Sequence, residues 1–378
     1  MIFELFPSLL DANSISFRAV MAATTAMVLT LLLGSPTIAW LRRHRVGETT
    51  SKTDSAELAR LAEASGKNAT TTMGGSFLIV SLVLSVLVWC DLGNLQVVLG
   101  LVLVAGLAAV GFVDDYLKLA VEGSQGLSAK AKLGGQTIAV LFVVGAFAYY
   151  AHDSGRYSLL AVYPPFFKDL VVPLGDSLLG TLAFIFFGWL VIAGTSNATN
   201  ITDGMDGLLA GCVVLSGTAL SVFCYVTGRL DWTLYLNLPY IPEAAEMTVV
   251  GAALVGSCLG FLWFNAHPAD VFMGDSGSLP IGGLMAWMAV VAKQELVLPV
   301  LGFVFFAELG SSALQRAWFR FSGGKRLFTM APIHHGLQTK GGIFRPGARP
   351  WHEVKIVTRA WIVAAICAMA SLALMKVR

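Results

Sequence analysis

The sequence predicts an all-α integral membrane protein of about ten transmembrane helices with both termini external, and three observations predict it. The 378 residues are 56% apolar and only 13% charged, with a mean hydropathy of +0.74, whereas about a quarter of a soluble domain is charged. Apolar runs near the ~20 residues that a crossing helix needs recur along the whole chain. Positive charge gathers in alternate connections between them. No sizeable soluble domain fits, so residues 1–378 read as one polytopic membrane domain.

The runs fall at 19–41, 73–90, 92–113, 133–151, 177–194, 207–227, 247–265, 276–292, 296–315 and 360–375. The ninth is the weakest, because Glu308 lies inside it and an ionisable group in a crossing is costly unless it faces protein or water. Glu4 and Asp11 come before any Lys or Arg, the first being Arg18, which is not the basic start of a cleaved signal peptide, so the first helix is expected to remain. The five cysteines lie in or beside apolar runs with no CxxC pair, and read as small packing residues.

If ten helices alternate, the connections near 42–69, 114–132, 195–206, 266–275 and 316–359 share one face. Of 25 Lys and Arg, six lie at 42–67, three at 118–132 and nine at 316–359. The positive-inside rule sets that face in the cytoplasm. On the other face, 157–163 and 166–172 flank Pro164 and Pro165, a pattern that suits a small external hairpin. The chemistry follows the charge: Asp114, Asp115, Asp203, Asp206, Asp270, Asp275 and five of six histidines sit at the basic face. An active-site cleft open to the cytoplasm is therefore expected.

Four segments carry that chemistry. Asp114 and Asp115, followed by Lys118, could ligate Mg²⁺ or take a proton from a phosphate. Adjacent helical positions point about 100° apart, so equal use of both by one metal is not expected, and a solvated helix end with an Asp115–Lys118 pair is the plainer alternative. Next come Asn197, Asn200, Asp203 and Asp206, spaced by three; a helix beginning at Asp203 sets both acids on one face, as a hard cation with phosphate ligands asks. Helix capping explains one of these acids, not the pair with two asparagines.

The third segment holds Asn265, Phe272 and Asp275. Gly274, Ser276, Gly277 and Ser278 at a helix entrance supply N–H groups for an anion, Asp275 supplies a metal ligand, and Phe272 could stack on a flat base. Plain packing is the alternative for Phe272 and capping for Asp275. In the last segment Lys325 and Arg326 could grip a polyanion, and His334 with His335 could bind phosphate or shuttle a proton. A basic loop that only sets topology is the alternative there.

In order along the chain, Thr72 to Gly75, Gly111 to Asp115 with Lys118, Gly126 and Leu127 with Lys132 and Gln136, Asn197 to Leu208, Asn265 to Leu279, and Lys325 to His335 form a specific set. Together the sequence resembles the phospho-N-acetylmuramoyl-pentapeptide-transferase family, within the polyprenyl-phosphate N-acetylhexosamine-1-phosphate transferases (glycosyltransferase 4 superfamily). The resemblance implies transfer of phospho-MurNAc-pentapeptide from UDP-MurNAc-pentapeptide to undecaprenyl phosphate with Mg²⁺, giving lipid I and UMP, the first membrane step of peptidoglycan synthesis. It places the protein in the bacterial inner (cytoplasmic) membrane, in the lipid bilayer and with no nucleic-acid partner, and leaves a homodimer open.

By the same resemblance, Asp275 is the metal ligand, and Asp114 or Asp115 stands near the lipid phosphate as base or nucleophile. Asp203 and Asp206 lie near the nucleotide. Lys67, Asn200, Asn265, Phe272 and His335 lie around the nucleotide and pyrophosphate, with Lys118, Lys132, Asn197 and His334 completing the substrate-binding set.

The sequence departs from the family pattern in three places. Ala69, Thr70 and Thr71 replace a Gly-Thr-Pro before Thr72; Gly336 and Gln338 stand where a third histidine and a glutamate are usual; and 342–350 reads as an insertion. A sister enzyme that transfers GlcNAc-1-phosphate is the near alternative. A transporter with acids along an ion pathway is the distant one, and it predicts midplane acids and a repeat that the sequence lacks.

Overall fold

The structure, a computed structural model, describes residues 14–44, 70–121, 124–167 and 170–377. Lys67 and most of the 42–69 connection lie outside the described residues.

Every predicted apolar run carries a helix. In chain order these are α1 (Ile15–Arg43), α2 (Gly75–Trp89), α3 (Leu95–Ala120), α4 (Ala129–Asp153), α5 (Leu178–Thr202) and α6 (Leu208–Thr227). After the short α7 (Leu230–Leu236) come α8 (Ala244–Asn265), α9 (Asp275–Val291), α10 (Leu298–Leu301), α11 (Phe303–Phe321), α12 (Ile333–Lys340) and α13 (Glu353–Val377). Seven of them, α1, α3, α4, α5, α6, α8 and α13, are long and apolar enough to cross a membrane. Side-chain caps mark several starts: Asn94, Ser128 and Ser177 each accept a first-turn backbone N–H, of Gln96, Ala131 and Gly180. A hairpin is present where one was expected but is short, with Ala161 and Val162 paired antiparallel to Pro173 and Val172.

The ninth run departs from expectation. It is not one helix over 296–315: the chain breaks at Gly302 into α10 and α11. The Leu301 carbonyl accepts from Ser216 Oγ near the middle of α6, so α11 starts at mid-depth in the bundle. From there it runs toward the charged end, burying Glu308 and Ser311 and exposing Leu314, Trp318, Phe319 and Phe321.

Contacts fix the relative directions of several helices. Ser85 bonds back to Ala22, so α2 runs antiparallel to α1, while Gly256, Gly260 and Phe264 of α8 meet Ala23, Met27 and Gly34 in parallel order. Helix α9 is buried along its whole length and antiparallel to both α3 and α5. A helix apolar all round belongs in a core, and here small residues let it sit there. At Gly111 a Cβ would fall on the Asp275 carbonyl, and at Gly75 on Gly277 Cα, so neither position admits a side chain. These two contacts bring the ends of α2 and α3 onto the start of α9.

Candidate active site

Asp275 is the first residue of α9 and its carboxylate is the hub. Oδ2 accepts from Lys132 Nζ at 2.6 Å and from Lys118 Nζ at 3.1 Å, and Oδ1 accepts from Asn200 Nδ2. Asn200 Oδ1 in turn accepts from Lys132 at 3.2 Å, and its amide also reaches Ser278 Oγ at 2.9 Å. Three elements converge: the end of α3 brings Lys118, the start of α4 Lys132, and the last turn of α5 Asn200. The cap of α9 is Gly274, with no side-chain cap bond, so capping does not account for Asp275.

The two adjacent aspartates differ. Both are 2% exposed, which sets aside the solvated helix end. Asp115 accepts the backbone N–H of Asp275 at 3.2 Å and of Ser276 at 2.9 Å, one on each oxygen, and so caps α9. Asp114 instead accepts Leu127 N–H at 2.7 Å and pairs with Lys118 at 2.7 Å. The close fit of Gly126 against Asp114, with φ +86, holds that loop over it.

Two expectations fail here. The N–H groups at the α9 entrance do not form an open anion cradle, because Asp115 takes two of them and Asp203 Oδ2 takes that of Gly274 at 3.1 Å. Nor do Asp203 and Asp206 share a helix face. Asp203 caps the end of α5, the chain turns through Gly207 at φ 76, and α6 begins only at Leu208. The turn points the acids apart: Asp203 holds Gly274, while Asp206 accepts from Ala269 N–H at 3.3 Å and lies 2.9 Å from His267 Nδ1. The region 195–206 is accordingly helical through Thr202, which is what aligns Asn197 and Asn200.

Several predicted residues brace the site. Asn265 accepts Gly207 N–H at 3.0 Å and donates to the Val271 carbonyl at 2.9 Å; both ends of its amide are used in the backbone. Asn197 donates to Gln136 Oε1 at 2.9 Å, tying α5 to α4. Phe272 donates its N–H to the Thr71 carbonyl and accepts that of Gly74, each at 2.8 Å, so the Thr70–Thr71 departure is built into the loop before α9. His334 is buried and His335 partly so, with ring centroids 4.2 Å apart.

Sequence reasoning missed Glu308 and Gln315 as partners of the histidine loop. Glu308 accepts His334 N–H at 3.2 Å, and Gln315 Oε1 accepts those of Leu327 and Phe328 at 3.1 and 2.9 Å. A buried acid within an apolar run was the available signal.

Asp114, Asp115 and Asp275 each offer one oxygen, all within 4.8 Å of one another, a set that could hold a metal ion. Lys118 Nζ stands among them, 2.7, 3.7 and 3.1 Å from the three carboxylates, as a cation would. Asp206, His267 and Glu353 form a second group of this kind.

A helical membrane fold that gathers carboxylates, lysines and an asparagine at one helix end has the groups to hold a metal ion and a polyanion. Residues 97–293 match glycosyl transferase family 4. Proteins named phospho-N-acetylmuramoyl-pentapeptide-transferase are similar over nearly their whole length: 39% identical in Maridesulfovibrio salexigens, 41% in Desulfovibrio desulfuricans and 39% in Neisseria gonorrhoeae. Each alignment covers 96% of this chain and 94% of the relative. The chain belongs to the phospho-N-acetylmuramoyl-pentapeptide-transferase family, a branch of glycosyl transferase family 4.

Proposed function

We propose that the protein transfers phospho-MurNAc-pentapeptide from UDP-MurNAc-pentapeptide to undecaprenyl phosphate at the cytoplasmic face of the bacterial inner membrane. An oxygen of the lipid phosphate bonds to the sugar-bound phosphorus, the bond from that phosphorus to UMP breaks, and lipid I and UMP result. The observation that carries this reading is the Asp275 hub, where two lysines and Asn200 converge on one carboxylate beside Asp114.

Each group has work suited to its surroundings. Lys118 and Lys132 balance the charge of a pyrophosphate, and Asn200 orients Asp275. Asp115 is committed to the α9 backbone and keeps the hub in register. That leaves Asp114, whose side-chain partner is the long Lys118, to face the acceptor phosphate and hold its proton. Asp275 with Asp114 would hold Mg²⁺, which when bound neutralises the pyrophosphate and the departing UMP. The cytoplasmic orientation rests on the charge split and on the alternating helix directions that carry the acids to the basic end.

The test is product analysis with purified protein in detergent, undecaprenyl phosphate and either UDP-MurNAc-pentapeptide or UDP-GlcNAc. Lipid-linked product and UMP are expected from the first donor only. Product from UDP-GlcNAc alone would assign the sister reaction instead.

A further inference from the structure

Helix α11 is the most unusual element of the bundle, and one of its faces is spent on a single loop. Glu308 and Gln315, two turns apart and so on one side of the helix, both accept backbone N–H groups from the segment that carries the histidines. Away from that side, its second half exposes Leu314, Trp318 and Phe321, with Phe319 exposed beyond Gln315. The helix that bears these exposed aromatics therefore also carries the histidine loop.

Glu308 makes the inner of these contacts. It is 6% exposed, and its two oxygens lie 3.2 and 3.4 Å from His334 N. Oε2 also lies 3.2 Å from His334 Nδ1, out of line for a hydrogen bond, so the backbone N–H carries the bond and the ring packs beside the carboxylate. On its far side the His334 ring is pressed against the turn after α5, where a Cβ at Gly204 would fall on Nε2. Wedged between Glu308 and Gly204, buried His334 cannot move without its neighbour. His335 packs against it with ring centroids 4.2 Å apart and planes tilted by 60°, and keeps partial exposure.

A buried carboxylate is costly unless its oxygens are used, and here the histidine loop uses them. We infer that Glu308 is a positioning residue for the transfer: through His334 it sets His335, and the turn at Asp203, for the donor. This rests on the proposed function for the identity of the donor. It predicts that losing Glu308 harms use of the nucleotide donor and spares the lipid acceptor.

The experiment is steady-state UMP release by Glu308→Ala, Glu308→Asp, His334→Ala and the Glu308→Ala/His334→Ala pair, with each substrate varied and thermal unfolding measured alongside. Glu308→Ala is expected to lower donor kcat/KM about tenfold or more, the scale of one lost charge-assisted hydrogen bond, with the lipid KM within about twofold of wild type. The double variant should fall little below His334→Ala alone, because the two act as one unit. Equal loss toward both substrates, or full additivity in the double variant, would overturn the inference.

Should Glu308→Ala not fold, Glu308→Asp carries the test, since its shorter carboxylate draws back from His334 N–H; a folded variant with wild-type donor kcat/KM would overturn the inference equally. Turnover by the wild type is the separate check on the proposed function. Were it absent, calorimetric binding of UDP-MurNAc-pentapeptide to the same variants reads the positioning, and unchanged affinity would refute it.

Discussion

At the residue scale, Asp114 and Asp115 are neighbours in sequence with different work. Asp115 holds two N–H groups at the start of α9, and removing a capping acid costs about 0.5–2 kcal/mol. Asp114 holds one loop N–H and a lysine. Asp114→Asn should therefore keep the unfolding midpoint and lose nearly all UMP release, while Asp115→Asn should lower the midpoint as well as the rate. Equal midpoints with equal losses would contradict this division. The sequence carried both acids, Asp275, Lys118, Lys132 and Asn200 into the site by family resemblance. It did not show which aspartate caps α9, because that pairing joins positions 160 and 161 residues apart. Gly336 became intelligible only in three dimensions: a Cβ there would lie 2.9 Å from Thr329 Oγ1 and 3.0 Å from the Met330 carbonyl. The inserted segment folds back onto the same place, Ile343 accepting Thr329 N–H at 2.8 Å, so the room a third histidine would need is taken by the Thr329 hydroxyl and by backbone carbonyls.

At the element scale, the site exists because helices approach at glycines. Gly111 lets α3 touch the Asp275 carbonyl, which sets Asp114 and Asp115 beside α9. Overpacking a close-fitted core costs about 1–3 kcal/mol, and here the obstacle is backbone, which yields least. Gly111→Ala should lower the unfolding midpoint and abolish UMP release, whereas Gly145→Ala, whose added methyl meets nothing within 4 Å, should leave UMP release unchanged and the midpoint no lower. Similar behaviour of the two variants would refute the role given to this crossing. Helix positions were legible because apolar runs bounded by charges and turn residues have the length of a crossing. The break at Gly302 was not, although Pro299 and Gly302 stand in that run, because Gly and Pro also occur inside continuous membrane helices.

At the scale of the whole molecule, the bundle has two unlike ends. One carries structural ion pairs, Arg18 with Glu246 joining α1 to α8 and Arg156 with Glu243 beneath the hairpin. The other collects Asp114, Asp115, Asp275, Lys118, Lys132 and Asn200. A transporter would string its acids through the midplane; here the metal-competent acids cluster where helices begin and end. This asymmetry was already visible in the alternation of charge, and the packing directions of the helices explain it. The most direct measurement is UMP release from UDP-MurNAc-pentapeptide and undecaprenyl phosphate by wild type and Asp275→Asn, each with Mg²⁺ and with EDTA. The Asp275 hub predicts release by wild type with Mg²⁺, none in EDTA, and a loss of about a hundredfold or more in Asp275→Asn that added Mg²⁺ does not restore. Wild-type rates in EDTA, or from Asp275→Asn, would contradict it.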